Sequence, residues 1–364
     1  MLLLATYRPE DVEIARHPLR QALRHLQREP AWTEVTPTLF GPDDVRAYLS
    51  AELGLVPPEE LVGFVHRKTE GNPLFVTNVV NHLLQTGALV RHPDHLALGR
   101  SLESIEENVP EGLMGVLQDR IDRLEEGDRR LLQAGSVEGD AFAARVVAVL
   151  TDEDELAVEE RLDRIQRVHR LIVPLGEVEY PDGEASSRYR FVHSLYQNAL
   201  YASVTSKRRA LWHRQAAQAL ERMHEGHLDA VAVPLAVHLE KAREFGQALG
   251  YRLRAAQFAT RASPRQARPH LQRALELAGR LPEAERDATR ADLLVRLARL
   301  DSETAEIVGD TSLYERAEEA VTEALALRPD DAAARTVLAV IELERGRNEN
   351  AFRDLLRVLA TQPG

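Results

Sequence analysis

From Ser206 to Gly364 the chain is rich in alanine, nearly free of strand signals, and divided by glycine and proline into segments of helical period. Helices of about 14 to 20 residues that carry one small, apolar face cannot bury that face alone. They have to stack on one another, so this part of the chain is constrained to an antiparallel helical array. Two pairs of positions set its pitch: Ala317 and Ala351 lie 34 residues apart, as do Pro329 and Pro363. The inner faces are expected to include Leu211, Leu220, Leu253, Leu271, Leu293, Ala317, Ala324, Leu338 and Ala351.

A period of 34 is that of tetratricopeptide (TPR) units, so the array at 206–364 reads as TPR-like, although the large aromatic and glycine positions of that pattern are poorly filled. An array of this kind presents an extended concave face, and a protein partner is expected there. The preceding 205 residues have a different grammar. Met1-Leu2-Leu3-Leu4-Ala5 reads as a buried strand, followed by a helical face at Leu19, Ala22, Leu23 and Leu26 and by a loose alternation from Trp32 to Leu39. Gly41-Pro42-Asp43-Asp44 and Pro58-Glu59-Glu60 are helix-start signals, and another helix begins at Pro73 after Gly71-Asn72. From Pro110 further helices are expected, including one over Phe142–Val149. Two strand-like runs, Leu171–Leu175 and Ser187–Val192, then flank Pro181-Asp182-Gly183. Helices closed by a hairpin suggest a winged helix. The expected class is mainly α, with four parts: a strand-bearing segment at 1–40, a compact helical group at 41–100, a winged helix at 101–205 and the array at 206–364.

Composition narrows the chemistry. Among 364 residues there is no cysteine, which excludes disulfide frameworks, thiolate metal sites and thiol nucleophiles together. No stretch approaches the roughly 18 apolar residues of a membrane span, so a cytoplasmic location without membrane contact is expected. The formal charge of −12 opposes whole-molecule attraction to nucleic acid. It is unevenly spread: residues 101–163 carry 18 acidic and 6 basic groups, residues 206–273 carry 5 and 13. Two solvated faces, or electrostatic docking between the two regions, account for this better than nucleic-acid binding through Lys207-Arg208-Arg209. That run lacks the aromatic or glycine interleaving of such surfaces. The histidines His213, His224, His227 and His238 show no helical zinc pattern and are expected to face solvent. The acidic clusters Asp43-Asp44 and Asp152–Glu155 fall at helix starts, where unpaired amides favour them as caps rather than metal ligands.

Four separated strings carry a family likeness: Leu2-Leu3-Leu4-Ala5-Thr6-Tyr7-Arg8-Pro9, Thr69-Glu70-Gly71-Asn72-Pro73-Leu74-Phe75-Val76, Val109-Pro110-Glu111-Gly112-Leu113 and Tyr189-Arg190-Phe191-Val192-His193-Ser194-Leu195. In order and spacing the chain resembles the rear portion of bacterial signal-transduction ATPases with numerous domains (STAND), over about residues 1 to 225, and the resemblance implies that 1–40 is a remnant of the P-loop NTPase α/β core and 41–100 its helical lid. The resemblance implies that Arg8 senses a γ-phosphate, that Pro73, supported by Gly71 and Asn72, presses on adenine, and that His193 holds the β-phosphate of ADP. Taken alone, Arg8 is a surface arginine at a strand end, Pro73 an ordinary first-turn proline and His193 a capping or packing residue. Ser194 also departs from the Met-His-Asp signature, which has a carboxylate after the histidine. No Gly-Lys pair occurs anywhere in the sequence, so the phosphate-binding loop and the Mg²⁺-holding Asp that the family places upstream are not encoded here. The resemblance therefore implies no catalytic residue in this chain and no metal site. ATP or ADP with Mg²⁺ is implied only if a separate nucleotide-binding chain supplies the missing half. The expected function is that of the regulatory and scaffold portion of such an ATPase, in signalling or transcriptional control. A stand-alone TPR-like interaction scaffold without nucleotide is the alternative.

Overall fold

The computed structural model describes residues 35, 38–85, 87–91, 96–98, 117, 118 and 120–361. The strand expected at Met1–Ala5, Arg8, the helix at 18–26 and the string Val109–Gly112 lie outside the described residues. So does most of Trp32–Leu39, of which Val35, Thr38 and Leu39 are described and are not in a strand. The described chain is mainly helical and forms two compact units. One comprises the chain up to Val178 together with Ala185–Thr205, the other Glu179–Glu184 together with Ser206 onward.

The first unit opens with three helices, α1 (Pro42–Leu53), α2 (Glu59–Thr69) and α3 (Pro73–Gln85). Pro42 pre-sets the first helical φ, and the Asp44 carboxylate accepts the Gly41 N–H at 2.9 Å, closing the start of α1 as the acidic residues there suggested. Val45, Leu49, Leu61, Val65, Val76, Val80 and Leu83 share one buried core. This segment is not wholly helical as expected. β1 (Leu89–Arg91) and β2 (Leu96–Leu98) form an antiparallel pair, Leu89 facing Leu98, too short to show an alternating pattern.

Residues 126–203 run α4 (Glu126–Glu138), β3 (Ala141–Ala143), α5 (Ala144–Thr151), α6 (Glu155–Val168), β4 (Ile172–Glu179), β5 (Ala185–Phe191) and α7 (Ser194–Ser203). The sheet order is β3-β5-β4. Phe142 was expected to open a helix; instead it lies in β3 opposite Tyr189, and its ring packs against Tyr189 and Phe191, so cross-strand burial overrides the helical pattern that resumes at Ala144. Asp154 caps α6 by accepting the Ala157 N–H at 3.1 Å. The buried Asp128 of α4 takes Arg161 at 3.1 Å and Arg164 at 2.7 Å, both from α6, so its own charge is compensated.

In the second unit eight helices follow one another: α8 (Ser206–Met223), α9 (Ala232–Lys241), α10 (Phe245–Ala262), α11 (Pro264–Ala278), α12 (Glu283–Val308), α13 (Ser312–Leu327), α14 (Ala332–Glu344) and α15 (Asn348–Thr361). Ala274, Ala291, Ala298, Ala317, Ala324, Ala334 and Ala351 are fully buried, as helices stacked closely on their small faces require. Leu211 corrects the expected inner face. It is 51% exposed, because the buried stripe of α8 runs through Trp212, Ala216, Ala219, Leu220 and Met223. Tyr180 at the hairpin tip belongs to this unit and meets the His224 ring edge-on at 5.4 Å.

His213 and His238 are a second correction. Both are buried, with Nδ1 atoms 2.9 Å apart, so one ring donates and the other accepts. Burial, and for His213 also the charges of His238, Lys241 and Arg209, push His213 down to about 3 and His238 down to about 4. Because the folded values lie below the ordinary 6.5, the pair contributes its stability above pH 6.5 and loses it as pH falls toward 4. Replacing His213 by Ala should cost about 1–3 kcal/mol at neutral pH by orphaning His238, and should flatten the fall in melting temperature between pH 6.5 and 4 relative to the parent chain. Thermal melts across that range, parent against variant, check both.

Candidate functional site

Two of the sequence strings meet in the first unit. The turn between α2 and α3 is built residue by residue for one geometry. Thr69 ends α2 with its hydroxyl donating to the Val65 carbonyl at 2.7 Å. Glu70 then takes a left-handed backbone, φ 48°, and Gly71 follows at φ 74°. Gly71 is also pressed against Phe40: the Phe40 N–H donates to the Gly71 carbonyl at 2.7 Å, and a Cβ on Gly71 would stand 2.0 Å from the Phe40 carbonyl oxygen. Glycine alone fits on both counts. Asn72 caps α3, its Oδ1 accepting the N–H groups of Leu74 at 3.1 Å and Phe75 at 3.4 Å, and Pro73 occupies the first helical position. The ring of Pro73 is exposed, while Phe75 points inward and is buried.

His193 stands where β5 passes into α7 and is 4% exposed. Its backbone is extended, and its Nδ1 accepts the Leu195 N–H at 3.1 Å, satisfying one of the unpaired donors at the start of α7. The neighbouring donor, Ser194 N–H, goes to Glu70 Oε1 at 3.2 Å, so a carboxylate from the α2–α3 turn sits on the helix N-terminus. The Phe75 ring meets His193 edge-on, centroids 4.6 Å apart at 90°. Burial pushes the His193 ring below its ordinary value of 6.5, against the pull of the Thr69 backbone carbonyl and of Glu70 and Asp140, which favour the charged form. Burial likewise raises the Asp140 carboxyl, helped by the charge of Glu70 and opposed by Arg190 and His193.

Gly71, Asn72, Pro73 and His193 thus converge on one junction, whereas Arg8 lies outside the described residues. Glu70, Phe75 and Asp140 join them without having been singled out in the sequence. Glu70 and Phe75 lay inside the quoted string, but nothing in it marks their partner 118 or more residues away. As it stands the junction does not fit a phosphate. Nδ1 of His193 is taken by Leu195, Nε2 is buried, and the Glu70 carboxylate holds the Ser194 amide that an anion would need. What the geometry does provide is a narrow, oriented link between the α2–α3 turn and α7.

Gly71→Ala should cost at least about 2 kcal/mol, adding left-handed strain to displacement of the Phe40 backbone. Gly87→Ala, at φ 69° with nothing within 4 Å of its Cβ, meets only the conformational part, about 1 kcal/mol. Denaturant midpoints of the two variants compare the terms directly.

No protein-family model matches the sequence, and a search of curated proteins finds no match. Among solved structures the chain is similar to a signal-transduction ATPase with numerous domains that carries a tetratricopeptide-repeat sensor, from Pyrococcus horikoshii, at 14% identity and a TM-score of 0.24. The match covers 90% of this chain and 54% of that one, so the chain spans about half the length of the protein it matches.

Proposed function

We propose that this chain is the regulatory portion of a STAND-type ATPase, with 41–100 as a helical lid, 101–205 as a winged helix and 206–364 as a TPR-like sensor array, dependent on a nucleotide-binding half that these residues do not encode. The observation that carries this reading is the meeting of Phe75 and His193 at 4.6 Å. Two strings singled out for the same family likeness, from distant parts of the sequence, come together at one joint. The succession α4, β3, α5, α6, β4, β5 with sheet order β3-β5-β4 is the arrangement a winged helix requires and supports that label. An anion would reach the start of α7 only after Glu70 leaves it, so the described geometry reads as a closed joint, with Pro73 and His193 as the positions for nucleotide contact once it opens. In this reading residues 1–40 are a remnant of the NTPase α/β core, with Arg8 as its γ-phosphate sensor.

A stand-alone interaction scaffold is favoured by a separate feature. Phe352, Leu355, Leu356 and Leu359 line an exposed stripe of α15, the kind of surface a partner helix covers. Among the described residues no helix is long and apolar enough to cross a membrane. The regulatory reading expects no ATP turnover by the purified chain above background, because positioning and charge stabilisation of the transferring phosphoryl group are supplied elsewhere. A steady-state ATPase assay with Arg8→Ala and His193→Ala as controls tests this. Robust turnover lost on either substitution would overturn it.

A further inference from the structure

Guanidinium groups of the helical unit are repeatedly matched to carboxylates across helices: Arg252 and Arg273 share Glu240, Arg268 holds Asp301, and Arg290 holds Glu323. Arg296 and Arg299 of α12 are not. Neither makes an ion pair or a hydrogen bond among the described residues, and both line a cleft of about 450 Å³ between α10, α11, α12 and the start of α14. Two carboxylates of the same cleft could have paired with them, but Asp292 and Asp331 are both held by Arg328. The floor beneath is apolar: Leu253 and Ala256 of α10, Leu271 of α11, Val295 and Leu300 of α12.

A recess of this size lies within the range of about 300 to 1,000 Å³ typical of small-molecule sites, which combine an apolar lining with a few oriented polar groups. Two guanidinium groups one turn apart on the same helix are suited to one planar anion, which they can hold by paired, charge-assisted hydrogen bonds. The rim also says what does not belong there. Glu303 lies one turn beyond Arg299, and Asp292 and Asp331, each already paired with Arg328, stand at the same rim, so the cleft offers positive charge at one point only. A run of acidic residues or a nucleic-acid backbone would be repelled, whereas a single anionic group is not.

We propose that this cleft binds a small organic anion with an apolar body, its one carboxylate held by Arg296 and Arg299 and its body laid on the floor of Leu253, Leu271, Val295 and Leu300. The inference deepens the reading of the array as a sensor by giving the chemical class of what it senses. It concerns the helical unit alone, so its failure leaves the Phe75–His193 joint untouched, and ATP turnover there would not bear on it.

The test uses the full chain and two dyes sharing the same rings, anilinonaphthalene sulfonate and the uncharged phenylnaphthylamine. The sulfonate should bind saturably, be displaced by decanoate and not by hexaglutamate, and bind about tenfold more weakly to the Arg296→Gln/Arg299→Gln chain, as loss of charge-assisted hydrogen bonds implies. Phenylnaphthylamine binding and the circular-dichroism spectrum should be the same in both chains. The proposal falls if the sulfonate does not saturate, if it binds the double variant as tightly as the parent, if the variant loses both dyes alike, or if hexaglutamate displaces the dye and decanoate does not.

Discussion

The first turn of α7 must find partners for its amide groups, and the arrangement of the first unit hangs on where it finds them. One comes from its own cap, His193, and one from Glu70, 124 positions earlier. Using Nδ1 as acceptor fixes the ring of His193, and the fixed ring offers Phe75 an edge to pack against. For Glu70 to reach Ser194, the chain has to leave α2 through two successive left-handed residues. Only glycine permits the second of these beneath the Phe40 backbone. A small set of backbone demands therefore holds the helices at 42–85 to the sheet-bearing part of the unit. Such a link is stable when made and cheap to break, since it rests on one charge-assisted hydrogen bond and one aromatic contact.

The second unit solves a different problem. Its helices bury alanine above all, with leucines and a few larger side chains such as Trp212 and Tyr314, so they approach closely, and long arginine and glutamate side chains bridge the outer edges. What makes the unmatched Arg296 and Arg299 informative is that both line one cleft. Their neighbours Asp292 and Asp331 are committed to Arg328, and the positive charge is left facing the cleft.

Much of this was legible in the sequence because it depends on local rules. Pro42, Pro73 and the acidic cluster at Asp152–Glu155 announce helix starts that the structure bears out. The alanines at period 34 announce close helix crossings, and Ala317 and Ala351 are both fully buried. What stayed hidden depends on pairing. β1 and β2 are three residues each, too short for alternation to register. Phe142 belongs to a helical pattern until Tyr189 stands opposite it. The apolar period places Leu211 inside, whereas the buried stripe of α8 runs through its neighbour Trp212. His213 and His238 looked like solvent-facing residues because nothing in a sequence shows that two imidazoles 25 positions apart will satisfy each other. Glu70 could not be read at all, since its partner is a backbone amide.

His193 is a neutral, buried cap whose Nδ1 accepts the Leu195 N–H and carries no proton. Nitrogen-15 NMR of the histidine side chains tests it most directly, because the two ring nitrogens of each tautomer resonate far apart. The account predicts that His193 is the Nε2–H tautomer, with Nδ1 at the position of a hydrogen-bonded acceptor, and that its titration midpoint lies below 6.5. It also predicts that the midpoint falls further in Glu70→Gln, which removes a charge favouring the protonated ring. A His193 protonated on Nδ1 at neutral pH, or titrating at 6.5 with no response to Glu70, would contradict the joint described here.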